Sequence, residues 1–235
     1  MITSLTNEKI KKYARLLVAK ERTKEQCFLI EGEHLVTEAK AMGLLVEKLT
    51  TVENDTGLLV SPQVMKKLSN TVSTPKVMGV CRMPKCNEKL SNKILILDGI
   101  SDPTNLGTLL RSAKAFGFNT IFASNQTVDY FNDKVIRGSQ GAIFKLNLLK
   151  GDVVTFINKI KPSYQIYGTN VRRGEDVASL SSAKAYALVL GNEAKGVSPE
   201  VEALCNLNLF IKMEKMESLN VSVAGAILMY ELAKK

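Results

Sequence analysis

From position 7 to about position 20, apolar residues return every three or four places (Ile10, Ala14, Leu17, Val18), the period of a helix that buries one face. Thr6 or Asn7 is suited to cap its start. Cys27-Phe28-Leu29-Ile30 then reads as a short buried strand, and Glu31-Gly32-Glu33 breaks it. A helix to about position 42 follows, closed by Gly43 in the place expected of a C-terminal cap. Residues 44–51 read as a strand, 61–68 as a helix opened by Ser61-Pro62, and 77–81 as a strand. Strands alternating with helices predict an α/β unit.

Residues 82–92 are polar, contain Pro84 and lack apolar periodicity, which marks a linker. A second α/β series follows. Lys93-Ile94-Leu95-Ile96-Leu97-Asp98 is nearly continuous apolar sequence, the pattern of a buried parallel strand. Further strands are expected at 120–123, 164–169, 186–191 and 207–211, with helices between them and a last helix over 221–235. The organisation expected is a domain over 1–83, a linker over 84–92 and a second, mostly parallel α/β domain over 93–235.

Composition narrows the partner. No apolar run approaches the ~18 residues of a membrane span, and Lys9, Lys11 and Lys12 interrupt any signal-peptide core, so the chain reads as cytoplasmic. Cys27, Cys81, Cys86 and Cys205 show no CxxC spacing, and His34 is the one histidine, so no metal site is expected. A lone histidine beside Glu33 at a helix start also argues against a Ser-His-Asp or Cys-His hydrolase. The net charge of +9 points to a polyanion. Residues 1–24 hold seven basic residues against two acids, whereas 25–92 hold eight of each sign. Lys11, Lys12 and Arg15 are therefore the candidates for phosphate contacts, although a solvated helix face has the same pattern.

The chemistry gathers at strand ends of the second unit, where open parallel sheets bind ligands. In the loop and helix over 98–113, Leu106, Leu109, Leu110 and Ala113 form an apolar stripe. Arg111 lies off that stripe, placed to meet a phosphate or a developing oxyanion; Gly107, one turn earlier, is expected to leave room beside it. A plain surface arginine fits the same pattern. Residues 190–197 carry G-N-E-A-K-G, which is neither GxGxxG nor a Walker loop and indicates only exposed backbone NH groups. Over 216–226, Ser218 or Asn220 suits a helix cap, and Ser222, Ala224, Gly225 and Ala226 permit close packing.

Taken together these segments resemble the SpoU (TrmH-like) branch of the knotted SPOUT RNA methyltransferases. Asn105 to Ala113 resembles the first family motif, Leu190 to Val197 the second, and Ile211-Lys212-Met213 with Ser218 to Ala224 the third. Phe28-Leu29-Ile30-Glu31-Gly32, with Val36, Glu38 and Ala39, is similar to the L30-like substrate-binding domain of the family. Lys212 stands where the family usually has proline, and Glu214 and Lys215 occupy a stretch that commonly holds glycine; the cofactor pocket is expected to survive, since its contacts are largely backbone.

The resemblance implies a trefoil-knotted C-terminal domain, a topology that general fold rules exclude. It implies S-adenosylmethionine held by backbone atoms of Gly191, Ile211 and Leu219, with Thr169, Asn192 and Met213 nearby, in a homodimer with interfacial active sites. It further implies methyl transfer to a ribose 2′-hydroxyl of RNA. Arg111 then stabilises the developing alkoxide, and Asn105, Glu193, Ser218 and Asn220 orient the reacting groups; Glu193 as proton acceptor stays open. The L30-like unit favours ribosomal RNA, in particular the large-subunit 23S molecule, over tRNA. A non-catalytic ribosome-assembly factor is the competing reading, and a nicotinamide enzyme fails for want of a glycine fingerprint after the first strand.

Overall fold

The structure is a computed structural model that describes residues 1–171, 173–180 and 183–235. Its first part contains α1 (Glu8–Arg15), α2 (Ala19–Glu25), β1 (Cys27–Glu31), α3 (Glu33–Ala41), β2 (Leu45–Thr50), β3 (Leu58–Leu59), α4 (Pro62–Leu68) and β4 (Val77–Arg82). The strands form one sheet in the order β1-β4-β2-β3, in which β4 is antiparallel to both neighbours. Asn7 is the cap of α1, its Oδ1 accepting from Lys9 N and Ile10 N.

The single helix expected over 7–20 is two helices. Short-range bonds from Leu16 N to Tyr13 O (3.0 Å), Leu17 N to Ala14 O (3.2 Å) and Val18 N to Arg15 O (2.9 Å) tighten and end the first. The turn lets Arg22 of α2 point inward, where its Nη1 donates to Leu16 O and Leu17 O. A buried arginine is invisible to apolar periodicity, so the break was too.

The second part contains β5 (Lys93–Asp98), α5 (Pro103–Ala115), β6 (Thr120–Ser124), α6 (Asp133–Ser139), β7 (Asn147–Gly151), α7 (Val153–Ile160), β8 (Gln165–Thr169), β9 (Glu175–Asp176), β10 (Tyr186–Gly191), α8 (Pro199–Glu202), β11 (Leu207–Phe210) and α9 (Val221–Ala233). Its sheet runs β7-β6-β5-β10-β8-β11-β9 with every pairing parallel. The inner strands β5 and β10 are apolar along most of their length, as the sequence indicated. β7 and β9 lie where only helices were expected. Both are edge strands with partly exposed residues, so neither shows a continuous apolar run.

Residues 83–92 carry neither helix nor strand, yet they are fastened to the large sheet. Cys86 Sγ donates to Leu148 O, Asn87 N donates to Asn147 Oδ1, and Ser91 N donates to Thr120 Oγ1. The two sheets also share one apolar cluster: Phe28 of β1 packs on Phe131 with ring centroids 4.6 Å apart and on Phe144 at 6.3 Å. Arg22 Nη2 reaches Asp129 Oδ2 at 2.5 Å across the same junction, and Lys145 pairs with Glu38. The first part is thus held to the second by burial as well as by the chain connection.

Gly107 has a different reason from the one expected. A Cβ there would lie 2.9 Å from Gly138 Cα and 2.9 Å from Val135 O, so α5 and α6 cross in backbone contact at this residue. The space beside Gly107 is filled by α6, not left for Arg111.

Candidate active site

Three loops at the carboxyl ends of β5, β10 and β11 meet. After β5, Asp102 caps α5, its Oδ1 accepting from Thr104 N (2.6 Å) and Asn105 N (3.2 Å), with Pro103 at the first helical position. That cap fixes Asn105 in the first turn. After β10, reciprocal bonds between Asn192 and Gly196 (2.9 and 2.8 Å) close a tight loop, in which Gly196 adopts φ +74°. Gly191 is buried so closely under this loop that a Cβ would lie 2.0 Å from Gly196 C. Asn192 Oδ1 accepts from Ala194 N and Lys195 N, and its Nδ2 donates to Gly99 O.

The loop after β10 therefore aims Glu193 at the loop after β5. Its carboxylate accepts from Ser101 N (3.1 Å), Ser101 Oγ (2.8 Å), Asp102 N (3.1 Å) and Asn105 Nδ2 (3.1 Å). Burial pushes this carboxyl up, but the hydrogen bonds from Asn105 and from the Asp102 and Ser101 backbone outweigh it and hold the group down at about 2. Asn105 Oδ1 in turn accepts from Asn220 Nδ2 at 3.0 Å. Asn220 caps α9, its Oδ1 accepting from Ser222 N (2.9 Å) and Ser222 Oγ (2.7 Å). One hydrogen-bonded chain, Glu193–Asn105–Asn220–Ser222, thus ties together segments whose direct links span 88 and 115 residues in sequence.

Beside this chain lies a cavity of about 440 Å³. Gly191, Asn192, Ile211, Met213, Leu219 and Thr169 all line it, as do Glu193 and Ser218. Leu190, Leu209, Val221, Ala224 and Leu228 supply apolar wall, while Asn170, Lys195, Glu202 and Glu217 supply polar groups. Thr169 is held by donation from its Oγ1 to Val189 O. Lys212 is exposed and outside the lining, so the residue in the usual proline position leaves Ile211 and Met213 facing the cavity.

Arg111 is not in this group. It is exposed, lines neither the cavity nor the chain of bonds, and has no hydrogen bond or ion pair among the described residues. Six residues after Asn105, it lies about a third of a turn round α5 and ~9 Å further along.

Of the three basic candidates, Lys11 pairs with Glu8 and Lys12 with Glu25, and Arg15 is exposed. Glu8 is one of the two acids counted in residues 1–24, whereas Glu25 lies just outside that segment. Ser101, Asn170 and Glu202 carry no role in the sequence reading, and Ser222 only that of a small residue for close packing. Ser101 and Ser222 fell inside segments already under scrutiny, whereas nothing in the local sequence marked Glu202. On α9, Val223, Ile227 and Tyr230 form an exposed apolar stripe opposite the buried Gly225, Leu228, Met229 and Leu232. No helix among the described residues is long and apolar enough to cross a membrane, and no group of metal-binding side chains occurs among them.

The geometry agrees with comparisons to known proteins. The family model described as SpoU rRNA Methylase family matches residues 92–230, and a second, the MRM3-like substrate binding domain, matches residues 7–79. The 23S rRNA (guanosine(2553)-2′-O)-methyltransferase RlmP of Bacillus subtilis (strain 168) is 35% identical over 98% of both chains. A solved RNA 2′-O ribose methyltransferase shares 30% identity and a TM-score of 0.83, covering 99% of this chain and 98% of its own. An AdoMet-bound rRNA methyltransferase from Sinorhizobium meliloti, at 24% identity, shares the fold with a TM-score of 0.87 over 99% of this chain and 97% of its own. With its three site-forming segments inside a match of this length, the chain belongs to the SpoU rRNA methylase family.

Proposed function

We propose that this protein transfers a methyl group from S-adenosylmethionine to a ribose 2′-hydroxyl of ribosomal RNA, in the large-subunit 23S molecule. The observation that carries the reading is the Glu193–Asn105–Asn220 chain at the edge of a cavity of small-molecule size. The lining suits the cofactor chemically: an apolar wall for a purine, and amide, carboxylate and ammonium groups for a ribose and an amino-acid tail. Gly191, Ile211 and Leu219 hold it through backbone atoms, with Thr169, Asn192 and Met213 beside them. When bound, S-adenosylmethionine supplies a methyl group made electrophilic by its sulfonium.

The residues of this chain have the harder task, because a ribose hydroxyl is almost wholly protonated near neutral pH. Catalysis must align that oxygen and favour its alkoxide. Arg111 provides the positive charge; a guanidinium keeps its proton, so it stabilises rather than abstracts. Glu193, held at about 2, is a poor proton acceptor and serves to orient Asn105. Asn105 and Asn220 are bonded to each other and, through Asn105, to Glu193 on the cavity lining, and Ser218 lies on the cavity wall.

The proposal includes a homodimer and the trefoil knot of the family. The stripe Val223, Ile227 and Tyr230 is apolar surface on a helix that is apolar all round, which favours a covering partner. Arg111, which has no hydrogen bond or ion pair among the described residues, acts where that partner closes the active site. Residues 1–83 form the RNA-binding domain, joined through 84–92 to the methyltransferase domain over 93–235. Similarity over nearly the whole chain to a 23S rRNA methyltransferase, with a substrate-binding family model matched at residues 7–79, favours ribosomal RNA over tRNA. Labelled methyl transfer to unmodified ribosomal RNA and tRNA in parallel tests this choice. Label in tRNA alone overturns it, and tight RNA binding without label in naked RNA or subunits restores the assembly-factor reading.

A further inference from the structure

The cavity has a carboxylate that the proposed reaction leaves without a task. Glu202, the last residue of α8, is half-buried in its wall. Its Oε1 accepts from Asn170 Nδ2 at 3.1 Å and from Asn208 Nδ2 at 2.9 Å. Both amides serve the same oxygen, and Oε2 has no hydrogen-bond partner among the described residues.

The surroundings hold this arrangement against a local penalty. Asn208 Oδ1 is buried without a partner among the described residues, against Gly168, where a Cβ would lie 2.2 Å from it. An unmet buried acceptor is destabilising. Turning the amide over would set its oxygen against the Glu202 carboxylate, so its nitrogen stays on Glu202 and its oxygen goes unmatched. The effect is a carboxylate with one oxygen anchored and the other available.

We propose that Glu202 is an affinity residue for the nucleoside of the cofactor, its Oε2 accepting from the ribose diol; this rests on the S-adenosylmethionine reading above. Three parts of that molecule donate to a carboxylate, the ribose hydroxyls, the adenine 6-amino group and the α-ammonium; a 2′,3′-dideoxy analogue keeps the amino group and so separates the first two. Exposed Lys195 and Glu217 on the same cavity match the charged carboxylate and ammonium of the amino-acid tail. Half-buried Glu202 suits the uncharged diol, which costs less to desolvate.

Calorimetric binding of S-adenosylhomocysteine and of 5′-methylthioadenosine, which lacks the amino-acid tail, tests the assignment on the full chain. In Glu202→Gln the side-chain oxygen takes the two amide donors and an NH₂ faces the cavity, so an acceptor becomes a donor. Both ligands are expected to weaken by a similar factor, roughly ten- to a hundredfold. The unaltered protein should lose a similar factor for the 2′,3′-dideoxy analogue of methylthioadenosine, with no further loss when analogue and variant are combined. That arm stands even where ligand-free thermal unfolding shows the variant to be misfolded. A loss confined to S-adenosylhomocysteine would overturn the diol assignment in favour of the ammonium, and unchanged affinity for both ligands would remove Glu202 altogether. An unaltered protein that binds neither ligand would sink the cofactor reading, and this proposal with it.

Discussion

Glu193→Gln tests the joint between the three loops. Each carboxylate oxygen serves at least two donors: Oε2 takes Ser101 N and Oγ and, at 3.4 Å, Asn192 Nδ2, and Oε1 takes Asp102 N and Asn105 Nδ2. An NH₂ in either place turns at least two hydrogen bonds into donor–donor contacts. Holding the carboxyl at about 2 instead of its usual 4.5 corresponds at face value to about 3 kcal/mol. The site is exposed, and solvent screening reduces this to about 1–2 kcal/mol, or a Tm lower by roughly 2–8 °C. The sign follows from linkage: a depressed carboxyl stabilises fully above its unfolded value and loses that contribution as pH falls towards the folded one. Urea unfolding of both proteins should therefore show a constant gap from pH 7 to about 5 that narrows between about 4.5 and 2. A variant as stable as the parent at pH 7, or a gap indifferent to pH, would refute the reasoning.

Gly107→Ala should cost about 1–3 kcal/mol by forcing α5 from α6, because the new Cβ meets two backbone atoms of α6 at 2.9 Å; an unchanged Tm would contradict that crossing. Arg111→Ala should nearly abolish methyl transfer while S-adenosylhomocysteine binding, read by calorimetry, stays as it was; retained turnover would remove Arg111 from the chemistry. Neutralising Lys11, Lys12 and Arg15 together should weaken RNA binding and flatten its salt dependence. Because Lys11 and Lys12 are engaged by Glu8 and Glu25, Arg15→Ala alone should account for the largest share; unchanged binding would make α1 a solvated face.

The inner strands of the large sheet were legible because β5 and β10 are buried on both faces and so read as unbroken apolar runs. Edge strands β7 and β9 were not, since half of such a strand meets water and its pattern blurs. The helix break at Leu16 depends on Arg22 being received by Asp129, a residue far along the chain. The candidate site was legible as a set of residues, and all six expected cofactor contacts line one cavity. What the sequence could not supply is who touches whom. Asn220 reads locally as a cap, which its side-chain oxygen is, yet its amide nitrogen reaches Asn105. Gly107 reads as room for Arg111, whereas the room belongs to α6. Glu202 reads as one more polar residue on a short helix, and only the pairing of β8 with β11 places Asn170 and Asn208 beside it.

The most direct test of the central claim is the identity of the methylated nucleoside. Large-subunit ribosomal RNA lacking its modifications is incubated with the protein and S-adenosylmethionine, digested to nucleosides and analysed by mass spectrometry. The expected product is a single 2′-O-methylated nucleoside, absent from the Arg111→Ala reaction. A methyl group on a base, or no methylated nucleoside despite bound RNA and cofactor, would contradict the assignment of this site to ribose methylation.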